Sequence, residues 1–280
     1  MTIKEILKLT EEFFQKKELQ NSRLDAEILL AEVLGCNRLK LYLDQDKPLE
    51  EKEIDLYREY VKKRANHVPI QYILGYTYFY GYKFKVTNDV LIPRPDTEIL
   101  VEQTINIVNK KRISRILEIG FGSGCIILSL SKNLPNVEFI GIDISEDAFN
   151  IANENLKELN IKNVKLVLES IENYKDNDKF DLIVSNPPYI SKDEYEKLSK
   201  EVLNYEPKIA LTDNSDGLKF YRLISQRAKD LLNKNGVLIF EVGYNQAFDV
   251  ENILVENEFK NIFKVKDYNN YFRVVGGELN

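Results

Sequence analysis

From residue 1 to about 75, apolar side chains recur every three to four positions. Ile6, Leu7, Phe13 and Phe14 are followed by Leu24, Ile28, Leu29, Ala31 and Leu34, with Gly35 as a stop, and then by Ile54, Leu56, Tyr57 and Val61. That period predicts a small bundle of amphipathic helices over 1–75. The pattern changes after Gly75: between Tyr76 and Val90 the aromatics Tyr76, Tyr78, Phe79, Tyr80, Tyr82 and Phe84 alternate with polar residues around Gly81. This predicts a β-hairpin turning near Gly81, inside a linking segment 76–92. From Pro93 to the end, short apolar runs at 115–119, 137–142, 164–168, 180–184 and 236–241 alternate with helical patterns such as 148–159 and 221–232. Strands alternating with helices predict an α/β domain over 93–280 with a mainly parallel sheet. Two further runs, 262–265 and 271–275, flank a polar turn and predict a final antiparallel pair, which brings the sheet to seven strands.

Two of the strand ends carry chemistry. The run 180–184 leads into Asn186-Pro187-Pro188-Tyr189. Two prolines fix φ and remove two donors, so this stiff turn presents acceptors: the Asn186 side-chain oxygen and the Pro187 carbonyl, walled by the Tyr189 ring. Such a cluster suits a planar –NH2 group, which offers two donors and whose lone pair is tied up in conjugation. Upstream, Ile116-Leu117-Glu118-Ile119-Gly120-Phe121-Gly122-Ser123-Gly124 reads as a strand ending in a glycine turn that opens an apolar helix. A dinucleotide fingerprint would need its third glycine at position 125, which is Cys125; the pattern here is acid-x-Gly-x-Gly-x-Gly. The next strand ends in Asp143, where a carboxylate can take both hydroxyls of a ribose. Glycine loop and acid together imply an adenosine-containing ligand.

Composition narrows the partners. Thirty-nine basic against forty-five acidic side chains give a net charge of −6, which argues against a broad phosphate-binding surface. Cys36 and Cys125 sit on apolar segments and read as buried free thiols in a reducing compartment. No Cys/His cluster has metal-ligand spacing, so no metal is expected, and the single His67 lies in a loop-like stretch rather than at a catalytic base position. The amino terminus lacks the apolar core of a signal peptide, and no run approaches a membrane span. The charged stretch 191–201 reads most simply as a solvated helix, with a substrate-side lid as the alternative.

The glycine loop, Asp143 and Asn-Pro-Pro-Tyr in this order resemble a class I S-adenosylmethionine-dependent methyltransferase acting on an amide or exocyclic amine nitrogen. Arg23-Leu24-Asp25-Ala26-Glu27, Pro69-Ile70-Gln71-Tyr72, Phe79-Tyr80-Gly81, Ile92-Pro93-Arg94-Pro95-Asp96-Thr97-Glu98, Glu206-Pro207 and Asp216-Gly217-Leu218 narrow the resemblance to the release-factor glutamine methyltransferases, the PrmC/HemK family. It runs from about residue 20 to the carboxyl end. It implies a seven-stranded Rossmann-like domain behind a helical substrate-recognition domain. It also implies S-adenosyl-L-methionine as methyl donor with S-adenosyl-L-homocysteine as product, and a cytoplasmic, monomeric enzyme whose partners are peptide-chain release factors, with no stable nucleic-acid binding. Carried onto this chain, the family's roles make Asn186, Pro187 and Tyr189 catalytic and give the substrate glutamine Asn186, Pro187, Pro188, Tyr189 and a pocket wall at Phe79. The cofactor would lie against Glu118, Gly120, Phe121, Gly122, Gly124, Asp143, Ile144, Ser170, Ile171 and Asn186. One departure stands after the third strand, where the family has an acid followed by an aromatic and this chain has Glu169-Ser170-Ile171. Either Ser170 replaces the acid, with Ile171 as an apolar wall for the adenine, or Glu169 supplies the carboxylate from one position earlier. For Arg94, Asp96, Thr97 and Glu98, a domain-joining role and a place around the cofactor are equally open.

An amide nitrogen is a poor nucleophile because its lone pair is delocalised, so the enzyme must localise that pair and aim it. The runner-up reading is a nucleic-acid methyltransferase acting on adenine or guanine amines, which share the Asn-Pro-Pro-Tyr motif and would have to be flipped out of a duplex. The acidic balance and the absence of a recognisable nucleic-acid module disfavour it. A cofactor-binding protein without activity is a third reading, at odds with the intact Asn186–Tyr189 motif.

Overall fold

The computed structural model describes residues 1–280. Its contacts separate two units: Met1–Tyr76 with Ser199–Tyr205, and Thr77–Leu198 with Glu206–Asn280.

The first unit is helical: α1 (Ile3–Lys16), α2 (Ser22–Val33), α3 (Arg38–Leu43), α4 (Glu51–Ala65) and α5 (Ile70–Leu74), joined by the short helix Lys200–Tyr205. Thr2 caps α1 in a reciprocal box, its hydroxyl accepting the Glu5 N–H while the Glu5 carboxylate accepts the Thr2 N–H at 2.9 Å. Ile3, Ile6, Leu7 and Phe14 of α1, Leu29 and Leu30 of α2, Leu41 and Tyr57 form the core. Phe13, Leu24 and Leu56, expected on the apolar stripes, are exposed. Each sits one residue, and so about 100°, from a buried neighbour (Phe14, Asp25, Tyr57), at the margin of a stripe in a bundle too small to cover it. Asp25 is buried because Arg64 meets it at 2.7 Å, and the same guanidinium reaches Glu201 at 2.9 Å. Glu27, also buried, accepts from Arg23 and Arg38, each at 2.6 Å, and from Tyr42. The Arg-Leu-Asp-Ala-Glu run of α2 therefore holds the unit together.

The second unit opens with a two-stranded ribbon, β1 (Tyr76–Phe79) and β2 (Tyr82–Lys85). Tyr80 and Gly81 turn it with φ of 49° and 78°, the left-handed pair that a two-residue hairpin needs. Then follow α6 (Glu98–Lys110), β3 (Arg115–Ile119), α7 (Cys125–Asn133), β4 (Glu138–Asp143), α8 (Glu146–Glu158), β5 (Val164–Leu168), β6 (Phe180–Ser185) and α9 (Lys192–Tyr195). The helix Lys200–Tyr205 of the first unit is α10; after it come α11 (Lys219–Leu231), β7 (Leu232–Glu241), α12 (Ala247–Glu256), β8 (Phe259–Lys266) and β9 (Phe272–Leu279). The charged stretch 191–201, expected as one helix, is broken between α9 and α10.

Seven strands form one sheet in the order β5-β4-β3-β6-β7-β9-β8, parallel except for β9 against β7 and β8. Residues alternate between two faces. Ile116, Phe139, Leu182, Val184, Val237 and Ile239 pack with α6, α7 and the hairpin residues Phe79 and Phe84. Leu117, Ile119, Ile140, Ile183, Leu238 and Phe240 pack with α11 and α12. Helices on both faces bury a mainly parallel sheet, as such sheets require.

Candidate active site

Strand register brings the two motifs together. Ile119, the last residue of β3, lies opposite Ile142 on one side and Ser185 on the other. The residues one step beyond, Gly120, Asp143 and Asn186, are therefore neighbours at the carboxyl edge where strand order reverses, the place ligands occupy in such sheets. The Ser185 hydroxyl donates to the Ile119 carbonyl at 2.7 Å and pins the two strand ends together. Asp143 holds the glycine loop in shape: one carboxylate oxygen accepts the Gly122 N–H at 2.9 Å, the other the Ser145 N–H at 2.9 Å. Gly120 and Gly122 adopt φ of 76° and 52°, and a Cβ on either would point into space with no protein atom within 4 Å. That leaves their backbone open to a ligand.

The loop edges a cavity of about 360 Å³ whose lining belongs wholly to the second unit. Of the residues predicted from sequence, Gly120, Phe121, Gly122, Asp143, Ile144, Ser170, Ile171, Asn186, Pro187 and Pro188 line it. Glu169, Arg94 and Thr97 line it too, so Ser170 and Glu169 both reach the place proposed for adenine recognition. Four predicted residues stand elsewhere. Phe79 is a correction: its ring is buried in the core beneath the hairpin, edge-on to Phe84 at 6.2 Å between centroids, and does not line this cavity. Strand alternation turns it inward. The Tyr189 ring, expected as a wall of the acceptor cluster and given a packing role, is half-buried and packs against the opposite core. Its carbonyl accepts from Gln246 Nε2 at 2.8 Å, and this pins the turn. Gly124 opens α7 with φ of 80°, a Cβ there coming within 3.0 Å of Leu128. Glu118 lies under the loop, fully buried, and both its oxygens lack a hydrogen-bond partner. Burial drives its pKa well above the ordinary value, and the nearby charge of Asp143 adds to the rise.

This arrangement fits S-adenosylmethionine. The glycine turn, backed by the buried Glu118 and open above Gly120 and Gly122, leaves room for the methionine part. The outward face of Asp143 suits ribose hydroxyls, while Ile144 and Ile171 give an apolar wall. Burial raises the Asp143 pKa, against the Ser145 and Gly122 amides that favour its charged form.

Sequence reasoning missed Glu241 and Gln246 and left the role of Thr97 open; all three stand around the Asn186–Tyr189 turn. Ser185 lies opposite Phe240, so Asn186 and Glu241 stand side by side one step past the matched pair. Glu241 is buried, its Oε2 without a hydrogen-bond partner. Burial lifts its pKa to about 7 despite the Thr97 hydroxyl, Arg273 and the Asn186 amide, which pull the other way. Thr97 Oγ1 accepts from Asn186 Nδ2 at 3.4 Å. Gln246 completes the surround, accepting the Gly243 N–H at 3.0 Å. The available signal was an acid closing an apolar strand, at the edge where Glu118 and Asp143 had already pointed to chemistry.

A glycine loop backed by a buried acid, an aspartate at the next strand end and Asn-Pro-Pro-Tyr across the switch point of a seven-stranded sheet define an S-adenosylmethionine-dependent methyltransferase. Known proteins agree. Residues 110–275 match the model of a methyltransferase domain and residues 5–75 that of the PrmC N-terminal domain. The release factor glutamine methyltransferase of Fusobacterium nucleatum is 46% identical over 94% of this chain and 75% of its own length. That of Geobacter sulfurreducens is 41% identical over 99% and 97%. The chain belongs to the release factor glutamine methyltransferase family. A solved 16S rRNA N2 G1207 methyltransferase of T. thermophilus, in complex with AdoMet and guanosine, shares the fold. It has a TM-score of 0.52 at 15% identity, covering 73% of this chain and 50% of that one.

Proposed function

We infer that this protein transfers the methyl group of S-adenosylmethionine to the side-chain amide nitrogen of the glutamine in the Gly-Gly-Gln motif of peptide-chain release factors. The observation that carries this is the Asn186-Pro187 acceptor pair on the cavity wall beside the glycine loop, in a chain that matches the family along nearly its whole length. When bound, the cofactor supplies a methyl group on a sulfonium, already a good electrophile. The chain's own residues must supply the nucleophile's geometry. Asn186 Oδ1 and the Pro187 carbonyl accept from the two N–H bonds of the substrate amide, which favours a pyramidal nitrogen over the planar ground state. That binding is stronger in the transition state than before it, and no general base is needed before transfer. The prolines keep the acceptors rigid, and Tyr189 serves by locking the turn into the core.

The domain roles follow the same reading. Residues 1–75 recognise the release factor, 76–92 form the linking hairpin and 93–280 perform transfer. Leu39, Tyr42 and Leu43, exposed around α3, supply apolar surface for a folded protein partner. The enzyme works as a cytoplasmic monomer without stable nucleic-acid binding. No helix is long and apolar enough to cross a membrane. Incubation of the pure protein with labelled cofactor and either release factor or rRNA tests the assignment. Label on the release-factor glutamine is expected; label on RNA alone would overturn it.

A further inference from the structure

Asn186 can serve as an acceptor only if its amide is turned the right way round. Its two ends are nearly the same in shape and opposite in hydrogen bonding, so a flip would present an NH2 donor to a substrate amide that also brings donors. Something must therefore hold Nδ2 inward and Oδ1 outward. Toward the protein, Nδ2 faces Thr97 Oγ1 at 3.4 Å, and both side chains lie near enough to the carboxyl of Glu241 to favour its charged form. Register places that carboxyl beside Asn186, buried, with one oxygen left without a partner. An ionised carboxylate has only acceptors. It therefore draws the Thr97 hydroxyl proton and Nδ2 toward itself, and the chain of donors runs one way, from Asn186 through Thr97 to Glu241. The Tyr221 hydroxyl, donating to the Glu241 backbone carbonyl at 3.0 Å, fixes the strand end that carries the acid.

We propose that Glu241, acting directly and through Thr97, is the positioning residue that sets the orientation of the Asn186 amide and so makes the site an acceptor for the substrate nitrogen. This rests on the acceptor role of Asn186 proposed above. A protonated Glu241 can donate in turn, and the amide then loses its fixed sense. The groups facing Glu241 are Arg273 on β9, Asp96 in the turn before α6, Tyr189 after β6, Tyr221 on α11 and Cys125 on α7. Burial pushes Tyr189, Tyr221 and Cys125 upward, so they stay neutral at physiological pH. Asp96 is occupied by Arg273 at 3.2 Å, and Arg273 remains a cation. Within this cluster Glu241 is the group that changes charge near pH 7.

The test is single-turnover methylation of release factor at saturating cofactor, pH 6 to 8.5, with cofactor affinity measured separately by calorimetry. Wild type is expected to gain rate as pH rises through about 7, following Glu241. Glu241→Gln, which offers both a donor and an acceptor, is expected to lose about tenfold or more in rate at pH 8 and to lose the pH limb. Its cofactor affinity and its KM for release factor are expected to stay within about twofold of wild type, because the residue touches neither ligand. Thr97→Val, which deletes the relaying hydroxyl, should fall much further than Thr97→Ser, which keeps it. Wild-type rate and pH profile in Glu241→Gln would overturn the inference. Equal rates for Thr97→Val and Thr97→Ser would do so too, and that pair decides if Glu241→Gln folds poorly. Asn186→Ala in the same assay separates the two layers. If it retains full rate, the acceptor reading itself fails; if it is inactive while Glu241→Gln is normal, only the positioning role of Glu241 fails.

Discussion

Asn186, Glu118 and Glu241 each carry a measurable consequence. Asn186→Ala should keep cofactor binding and lose on the order of 10² to 10³ in transfer rate, about 3 kcal/mol, the usual cost of one pre-positioned partner. Calorimetry and single-turnover transfer on one preparation check it, and wild-type turnover would remove Asn186 from the mechanism. The two buried acids make stability fall with rising pH. A carboxyl whose pKa is raised on folding is protonated at no cost below its ordinary value of 4.5 and must be ionised in the core above its raised value, about 7 for Glu241. The stability it leaves intact at pH 4.5 is therefore lost by pH 7 to 8, a loss of about 3 kcal/mol. Glu118 acts in the same direction. Glu118→Gln should thus raise the melting temperature of the cofactor-free protein at pH 8, read by thermal unfolding. A variant no more stable than wild type at pH 8 would contradict the buried-charge account.

At the scale of elements, each strand end serves both fold and site. Asp143 stops β4 and, by accepting from Gly122 and Ser145, shapes both the glycine loop and the start of α8. Asp143→Ala should therefore weaken the cofactor by roughly 2 to 3 kcal/mol through lost ribose contacts, and loosen the loop besides. Unchanged affinity would mean that the ribose lies elsewhere. In the helical unit, Arg64 joins α2 to α4 through Asp25 and gathers the segment Ser199–Tyr205 through Glu201. Arg64→Ala would leave Asp25 charged and buried without its partner, a change that typically costs about 3 to 5 kcal/mol. Denaturant unfolding is the measurement; a loss below about 1 kcal/mol would show that water or a neighbour replaces the guanidinium.

For the whole molecule, the substrate class decides how binding responds to salt. A folded release factor held by shape and scattered polar contacts should show kcat/KM nearly flat between 50 and 200 mM salt. A phosphate-tracking enzyme would lose about 10³ or more over that range. The net charge of −6 belongs with the first outcome. The two units also warn against a simple truncation. Removing residues 1–75 would strip the segment Ser199–Tyr205 of the helices it packs with, so a shortened enzyme would test more than recognition. Full-length protein with substitutions at Leu39 and Leu43 is the cleaner probe: Leu39→Asp with Leu43→Asp should raise KM for release factor and leave cofactor affinity as it was.

What the sequence determined by itself was local and periodic. The 3.6-residue period marked the bundle, and alternation around Gly81 marked the hairpin. Apolar runs found all seven strands of the sheet to within a few residues at most ends, and glycine spacing with a following acid separated this loop from a dinucleotide fold. These features need only the chain's own period and the backbone freedom of glycine and proline. Tertiary structure decided what pairing brings together. Nothing in the spacing says that Glu241 stands beside Asn186, because 55 residues part them and only the register of β6 against β7 closes that gap. Nor does spacing say that Phe79 and Tyr189 turn into opposite cores, since an aromatic near a motif reads alike as wall or as packing. Helix α6 went unmarked before β3, and Lys200–Tyr205 leaves the unit that flanks it in sequence because Arg64 and the helical core receive it. Long-range partners of this kind depend on where the whole chain goes, which no window of neighbouring residues contains.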